Sequence, residues 1–370
     1  MKPAVPTISV HEVENVPAWP KPGKTNDGFF ASEIDSVKYI LLETSPESML
    51  GEISQIFRMG DSLMVVDAYV GNSVLVFDLE GKFCYRIGDV GRGPGEYVSL
   101  GYVHVSDNGL VYLSDFGSGK ILVYTKEGEF VEEHRLKNSA PQTFFMWNDS
   151  VIIGGYSGYR LNAPYRLVWI DMEGNELETA LPYMTGRQYV AGNFLKGEHS
   201  EILFSCPLND TIFQVTAHSV TPYLSMGFYD KNVLDNFVED TKNMNENAYL
   251  KELYRSDEIT NLIDVFRCDN HWVTYSQKGR YTYVSVIDKN RRDYWRSDIK
   301  KKLIHIPDNF KTSWHDWVIG YVNPEALDYV DERQREAFLE KLSETCGSEI
   351  TLDSLKQCNP VVTMYHLKNR

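Results

Sequence analysis

No stretch of this 370-residue chain approaches the roughly 18 consecutive apolar residues that would cross a bilayer, and the first 27 residues hold no apolar core of the kind that directs export. The sequence thus offers no membrane-spanning helix, and an exported protein would be represented here by its mature form. Basic residues are scarce: 37 Lys and Arg stand against 52 Asp and Glu, a net charge of −15 with no local cationic cluster. That charge repels phosphate backbones and anionic lipid surfaces, which disfavours nucleic-acid binding. Cysteine is scarce too, and none of Cys84, Cys206, Cys268, Cys346 and Cys358 forms the CxxC pairs of a zinc site. Cys84, Cys206 and Cys268 lie in or beside apolar runs and read as small buried hydrophobes, whereas Cys346 and Cys358 are placed to bridge in an oxidising compartment.

Catalytic signatures are missing as well. The histidines are dispersed without HxH or HExxH spacing, and there is no GxSxG elbow or Cys–His signature. The densest chemical cluster is Trp314-His315-Asp316-Trp317, where His315 is a candidate base at a channel mouth. On an extended strand His315 and Asp316 would point to opposite faces and would not pair. What the chain does have is 42% hydrophobic and 13% aromatic residues, with 23 Tyr, enough for a substantial core and too much for disorder.

An internal repeat organises that core. Residues 63–83, LMVVDAYVGNSVLVFDLEGKF, match residues 110–130, LVYLSDFGSGKILVYTKEGEF, apolar run for apolar run. Each reads as a strand ending at an Asp (Asp67, Asp115), a short Gly-containing loop, a second strand, a Gly turn and a third strand. Residues 151–155 and 166–174 form a looser third copy, so that the turn glycines Gly81, Gly128 and Gly174 recur every 46 to 47 residues. A period of roughly 46 with four short strands per unit is that of a propeller blade. Later turns near 217, 289 and 369 bring the count to six. The excess length falls in two helix-compatible inserts, about 232–256 and 323–359, the second opening with Asn323 as N-cap and Pro324 at the first helical position and ending before Gly347.

The reading is therefore an all-β, six-bladed β-propeller over residues 36–370, with an N-terminal arm over 1–35, an N-terminal closing strand and two helical inserts. The chain ends after the third strand of the sixth unit while residues 37–42, VKYILL, have no partner in the first. A ring closes only if that segment supplies the missing outer strand.

The linker Ile87–Tyr97, IGDVGRGPGEY, resembles the glycine-rich signature of NHL-type six-bladed β-propellers. With LVFDLEGKF, NDTIFQV and NPVVTMYHLK it is similar to a six-bladed propeller family abundant in Bacteroidetes, many of whose members are exported lipoproteins. The resemblance implies location in the periplasm or at the cell surface, with membrane contact only through a lipid anchor outside this chain. The glycines themselves read as a tight, φ-positive crossing between blades, since the strand, helix and Lys of a phosphate loop are missing around them.

Blade topology assigns the loops. Those joining second to third strands share one face with the interblade linkers, and both inserts fall there, so this long-loop face is the expected functional one. It carries Asp67, Asp115 and Lys120, of which the two Asp are expected to accept backbone hydrogen bonds at strand ends. Candidate ligand contacts are Arg92, Tyr156, Tyr159, Arg160, Arg187, Tyr189, Arg280 and Tyr281, flat rings and forked donors suited to a glycan, peptide or protein partner. The expectation is a non-enzymatic binding module of the cell envelope. The alternative is an NHL-propeller-like lyase or hydrolase with its site at the channel mouth and a metal as its potential cofactor; such an enzyme would bring ionisable groups from different blades to one point.

Overall fold

The computed structural model describes residues 34–138, 140–156, 165–182, 192–196, 201–206, 209, 211–225, 231–256, 260–278, 281–289, 294–298, 309–330 and 332–368. Among them are six antiparallel four-stranded sheets, the blades of a propeller. Blades one to five are consecutive in the chain, over residues 55–86, 100–135, 143–182, 193–225 and 260–298. The sixth combines Asn309–Trp314, Trp317–Val322 and Val361–Leu367 with Ile34–Leu41 as its outermost strand. The N-terminal segment thus closes the ring, pairing Val37 with Tyr365 and Leu41 with Val361.

The strand sequences explain the layering. The middle strands of a blade are covered on both faces by neighbouring blades, so Ser62–Asp67 and Ser73–Asp78 read as nearly unbroken apolar runs and are almost wholly buried. Outer strands such as Phe130–Arg135, FVEEHR, are largely exposed and polar. In blades one to three the register between third and outer strand slips at equivalent positions, at Val76/Phe77, Val123/Tyr124 and Trp169/Ile170, and in blade four two pairs further from the turn, at Ile212/Phe213, each a bulge that increases local twist. The turn glycines Gly81, Gly128 and Gly174 follow those bulges with φ of 88°, 90° and 79°.

Apolar packing is divided among the gaps between blades rather than gathered in one centre. Separate clusters fill the junctions of blades one and two (around Val66, Val76, Val103 and Leu113), three and four (Trp169, Phe204), five and six (Val284, Phe310, Tyr365) and six and one (Leu75, Ile319, Met364). Buried Asn359 ties the two ends of the ring together: its side chain accepts from Leu50 N–H at 2.8 Å and donates to the Glu43 and Ser48 carbonyls at 2.7 and 2.8 Å.

Both inserts are helical, with more breaks than their sequence pattern suggests. The first is a pair, Lys231–Thr241 and Glu246–Arg255, the second capped by Asn245 accepting from Ala248 N–H at 2.9 Å. The second insert opens with Asn323 accepting from Glu325 N–H, but a 3₁₀ turn, Pro324–Tyr329, precedes the main helix Glu332–Cys346, which Gly347 ends at φ 64°. That insert packs on the closing strand, with Tyr39 edge-on to Phe338 at 5.4 Å. Among the described residues no helix is long and apolar enough to cross a membrane.

The glycine-rich linker departs from the expected crossing. Gly88 and Gly95 take positive φ, whereas Gly91 and Gly93 do not. These two make room for a carboxylate: a Cβ at Gly91 would lie 1.9 Å from Glu96 Oε2, and Gly93 N–H donates to that oxygen at 2.7 Å. The cysteines correct two expectations. Cys346 and Cys358 are both free, and Cys84 is exposed on an outer strand, while Cys206 and Cys268 are buried as expected.

Candidate functional site

The first strands of the six blades surround a channel of about 1850 Å³. Their inner edges have no further strand to pair with, so side chains of neighbouring blades complete them. Gln55 does this in both directions, donating to the Val103 carbonyl at 2.9 Å and accepting from Val103 N–H at 2.8 Å. Thr143 Oγ1 donates to the Gly192 carbonyl, and Ser313 Oγ to the Arg267 carbonyl, each at 2.7 Å. Phe57, Tyr102, Phe145 and Phe194 add rings to the wall.

Ionisable groups from adjacent blades face this space. Asp264, on the inner strand Thr260–Arg267, accepts from Val265 N–H at 2.8 Å and hydrogen-bonds Asn193 of blade four. Burial raises its carboxyl to about 6, against the opposing pull of the Val265 N–H, the Lys311 charge and Asn193. Part of Asp264 remains accessible from within the channel, yet protein surrounds the channel on every side, and the desolvation follows from that depth. Lys311, on Asn309–Trp314 of blade six, is lowered by burial and held up by Asp264 and Glu52; its Nζ lies 5.8 Å from the Tyr321 ring centroid. Burial raises the Tyr102 hydroxyl, the Asp264 charge raises it further, and a hydrogen bond with Gln55 opposes both.

The two mouths differ. At the long-loop face Tyr69, 77% exposed, and Phe116 stand on the rim, and Phe116 leans over Gly101, where an added Cβ would meet its ring at 2.7 Å. Met49, Val70, Val90 and Tyr329 are further exposed apolar side chains on loops of this face. At the short-turn face the Arg58 guanidinium stacks on Trp314 at 3.6 Å, and His315 Nδ1 lies 2.8 Å from Asp269 Oδ2. His315 and Asp316 form the turn between two strands of blade six, with His315 at φ 51°, so they are not on an extended strand. They still do not pair: Asp316 accepts from Asn270 N–H at 2.8 Å and lies 3.4 Å from the buried His271.

Of the expected contacts, Arg92 is exposed on the linker into blade two, and Tyr156 is buried in the cluster between blades two and three. Tyr159, Arg160, Arg187, Tyr189 and Arg280 lie outside the described residues, as does the side chain of Tyr281. Asp67 and Asp115 are linker staples, as their positions suggested. Asp67 accepts from Gly51, Glu52 and Val70 N–H, and Asp115 from Val98, Ser99 and Gly117 N–H, all at 2.6–3.0 Å. Asp264, Lys311 and Tyr102 escaped a reading concentrated on loops; the available signal was their place on first strands, directly after each interblade linker. Among the described residues no three His, Cys, Asp or Glu side chains gather to hold a metal ion.

Comparison with known proteins supports the same architecture. A candidate exported protein from Bacteroides fragilis superposes with a TM-score of 0.74 at 18% identity, covering 96% of this chain and 100% of that one. A member of the DUF4221 family from Bacteroides vulgatus gives 0.57 at 11% identity, covering 91% and 98%. A virginiamycin B lyase from Staphylococcus aureus matches more loosely, at 0.46 and 12% identity over 90% and 99%, and carries no argument about activity. No functionally curated protein matches. At these identities the likeness shows a shared fold, and family membership comes from the sequence itself: residues 24–366 match a single family model, so the chain belongs to the family described as domain of unknown function DUF4934.

Proposed function

We propose that this protein is a non-enzymatic binding propeller of the cell envelope that recognises a glycan, peptide or protein on its long-loop face. The observation that carries the reading is the open channel, whose long-loop mouth presents the exposed ring of Tyr69 beside Phe116. Aromatic rings at the rim of a roomy cavity offer flat stacking surfaces to a ligand. Arg92 belongs to this face, and the loop residues Tyr159, Arg160, Arg187, Tyr189, Arg280 and Tyr281 are further contacts in the proposal, whereas Tyr156 serves the core. Export with a lipid anchor, and kinship with NHL-type propellers, are parts of the same proposal. Glycan- and peptide-array screening of the purified protein tests it. Binding that the double variant Tyr69→Ala/Phe116→Ala abolishes supports the reading, and binding indifferent to that variant places the ligand elsewhere.

One observation favours a second reading, a lyase or hydrolase: Asp264 and Lys311, from adjacent blades, face one cavity with titration shifted in opposite directions. Turnover of an array-positive ligand, lost in Asp264→Asn, would establish it. Elemental analysis showing near one equivalent of metal would point the same way.

A further inference from the structure

The channel wall holds a cation that has no ion-pair contact among the described residues. Of the cations lining the channel among the described residues, Arg58 stacks on Trp314, Arg267 carries its own interactions, and Lys289 donates to the Cys268 and Asp269 carbonyls at 2.6 and 3.0 Å. Lys311 differs. Its ammonium is withdrawn from bulk water beside the Tyr321 ring, and among the described residues no carboxylate is in ion-pair contact with it. A desolvated ammonium without a direct counter-ion gains most from an anion that enters its cavity.

The surroundings specify what would carry that anion. Asp264 and Asn193 form a joined carboxylate and amide, and Tyr102 lines the same channel. Carboxylate and amide oxygens accept hydrogen bonds from hydroxyl groups, and flat rings cover the apolar faces of sugar rings. At about 1850 Å³ the channel is larger than the roughly 300–1,000 Å³ of a typical small-molecule pocket, so it accommodates an oligomer. On a chain of net charge −15 the long-range field opposes an anion, so the attraction in this proposal is local, from the Lys311 ammonium.

We infer that the channel binds an anionic saccharide whose carboxylate or sulfate group is held by Lys311, with Asp264 and Asn193 engaging neighbouring hydroxyls. This rests on the binding reading above and names its ligand class and its anchoring residue. The charged and titratable groups that act on Lys311 are Asp264 from blade five, Glu52 from the linker into blade one and Tyr321 from its own blade, and Tyr102 lines the same channel. Asp264 repels an incoming anion while ionised, so binding strengthens as pH falls through about 6.

Isothermal titration of the full chain with a galacturonic acid trimer, a sulfated galactose oligomer and an uncharged galactose oligomer tests the inference. At least one anionic probe should bind tenfold or more tightly than the neutral one, and which of them does so distinguishes carboxylate from sulfate. Lys311→Met should erase that preference and Lys311→Arg should retain it, with melting temperatures confirming that both variants fold. Asp264→Asn should remove the gain in affinity between pH 7.5 and pH 5.0. Equal affinity for charged and neutral probes, or an anion affinity unchanged in Lys311→Met, overturns the inference. Peptide or neutral-glycan binding that needs Tyr69 and Phe116 but not Lys311 overturns it while leaving the binding reading intact; failure of every glycan and peptide to bind removes both.

Discussion

Asp115 and Asp264 place the same side chain in opposite settings. Asp115 is wholly buried where the linker after blade one meets the loop of blade two, and four backbone N–H groups and the Ser118 hydroxyl converge on it. Burial alone would raise its carboxyl; the hydrogen bonds, led by Ser118, bring it below the ordinary value. Asp264 faces the channel with fewer donors, and there burial prevails and raises the carboxyl to about 6. Asp67 and Asn359, in the ring's seams, are likewise held by several hydrogen bonds each, while Asp264 and Lys311 in the channel wall have fewer partners. The first set holds the ring, and the second is the one our proposal assigns to a ligand.

Removing the seam altogether should have the largest effect. Deletion through Leu42 strips the outer strand from blade six along with the buried side chains of Tyr39, Ile40 and Leu42, each worth about 1.5–3 kcal/mol of burial. Melting followed by circular dichroism should show a midpoint more than about 10 °C lower, or no cooperative transition; a truncation as stable as the parent would remove the closure from the account. Next come single staples. Asp115→Ala or Asn359→Ala leaves several buried partners unsatisfied at about 1–3 kcal/mol each, so urea denaturation should show a loss of about 3–5 kcal/mol.

Asp264→Asn sharpens the contrast because its sign is reversed. A carboxyl raised on folding contributes stability that is complete below its unfolded value of 3.8 and is lost as pH rises through about 6. The wild type should therefore weaken by about 1–3 kcal/mol between pH 4 and pH 7, and Asp264→Asn should recover most of that at pH 7.5. Asp115 behaves the other way: its carboxyl is lowered, so its contribution is present above 3.8 and disappears as pH falls below that. Thermal melts across pH 3–8 on the two variants separate these slopes, and parallel curves would refute the division. The smallest expected change is at the rim, where Tyr69→Ala should alter stability by no more than about 0.5 kcal/mol while altering ligand binding.

The seams were largely legible in the sequence and the channel was not. Gly81, Gly128 and Gly174 mark turns because a left-handed backbone follows the third strand of blades one, two and three, and Asp67 and Asp115 end strands at matching repeat positions. These are local requirements, repeated with the blade, so they leave a period in the chain. Asp264 and Lys311 leave none, because no repeat distinguishes a first-strand residue that faces the axis from one that faces the next blade. Tyr156 shows the converse: a tyrosine at the start of a long loop reads as a ligand contact, but packing between blades two and three takes it inward.

The amino-acid sequence alone determined the blade period, the number of blades, the positions of the two inserts and the strand that closes the ring, since each follows from hydrophobic patterning and from the need to leave no open sheet edge. Only the tertiary structure decided which polar groups are consumed by the seams and which remain at the axis. That outcome depends on how six separately patterned sheets meet: burial in the channel raises the proton affinity of Asp264 of blade five, and Asn193 of blade four and Lys311 of blade six pull against that rise. Those neighbours exist only once the ring has closed.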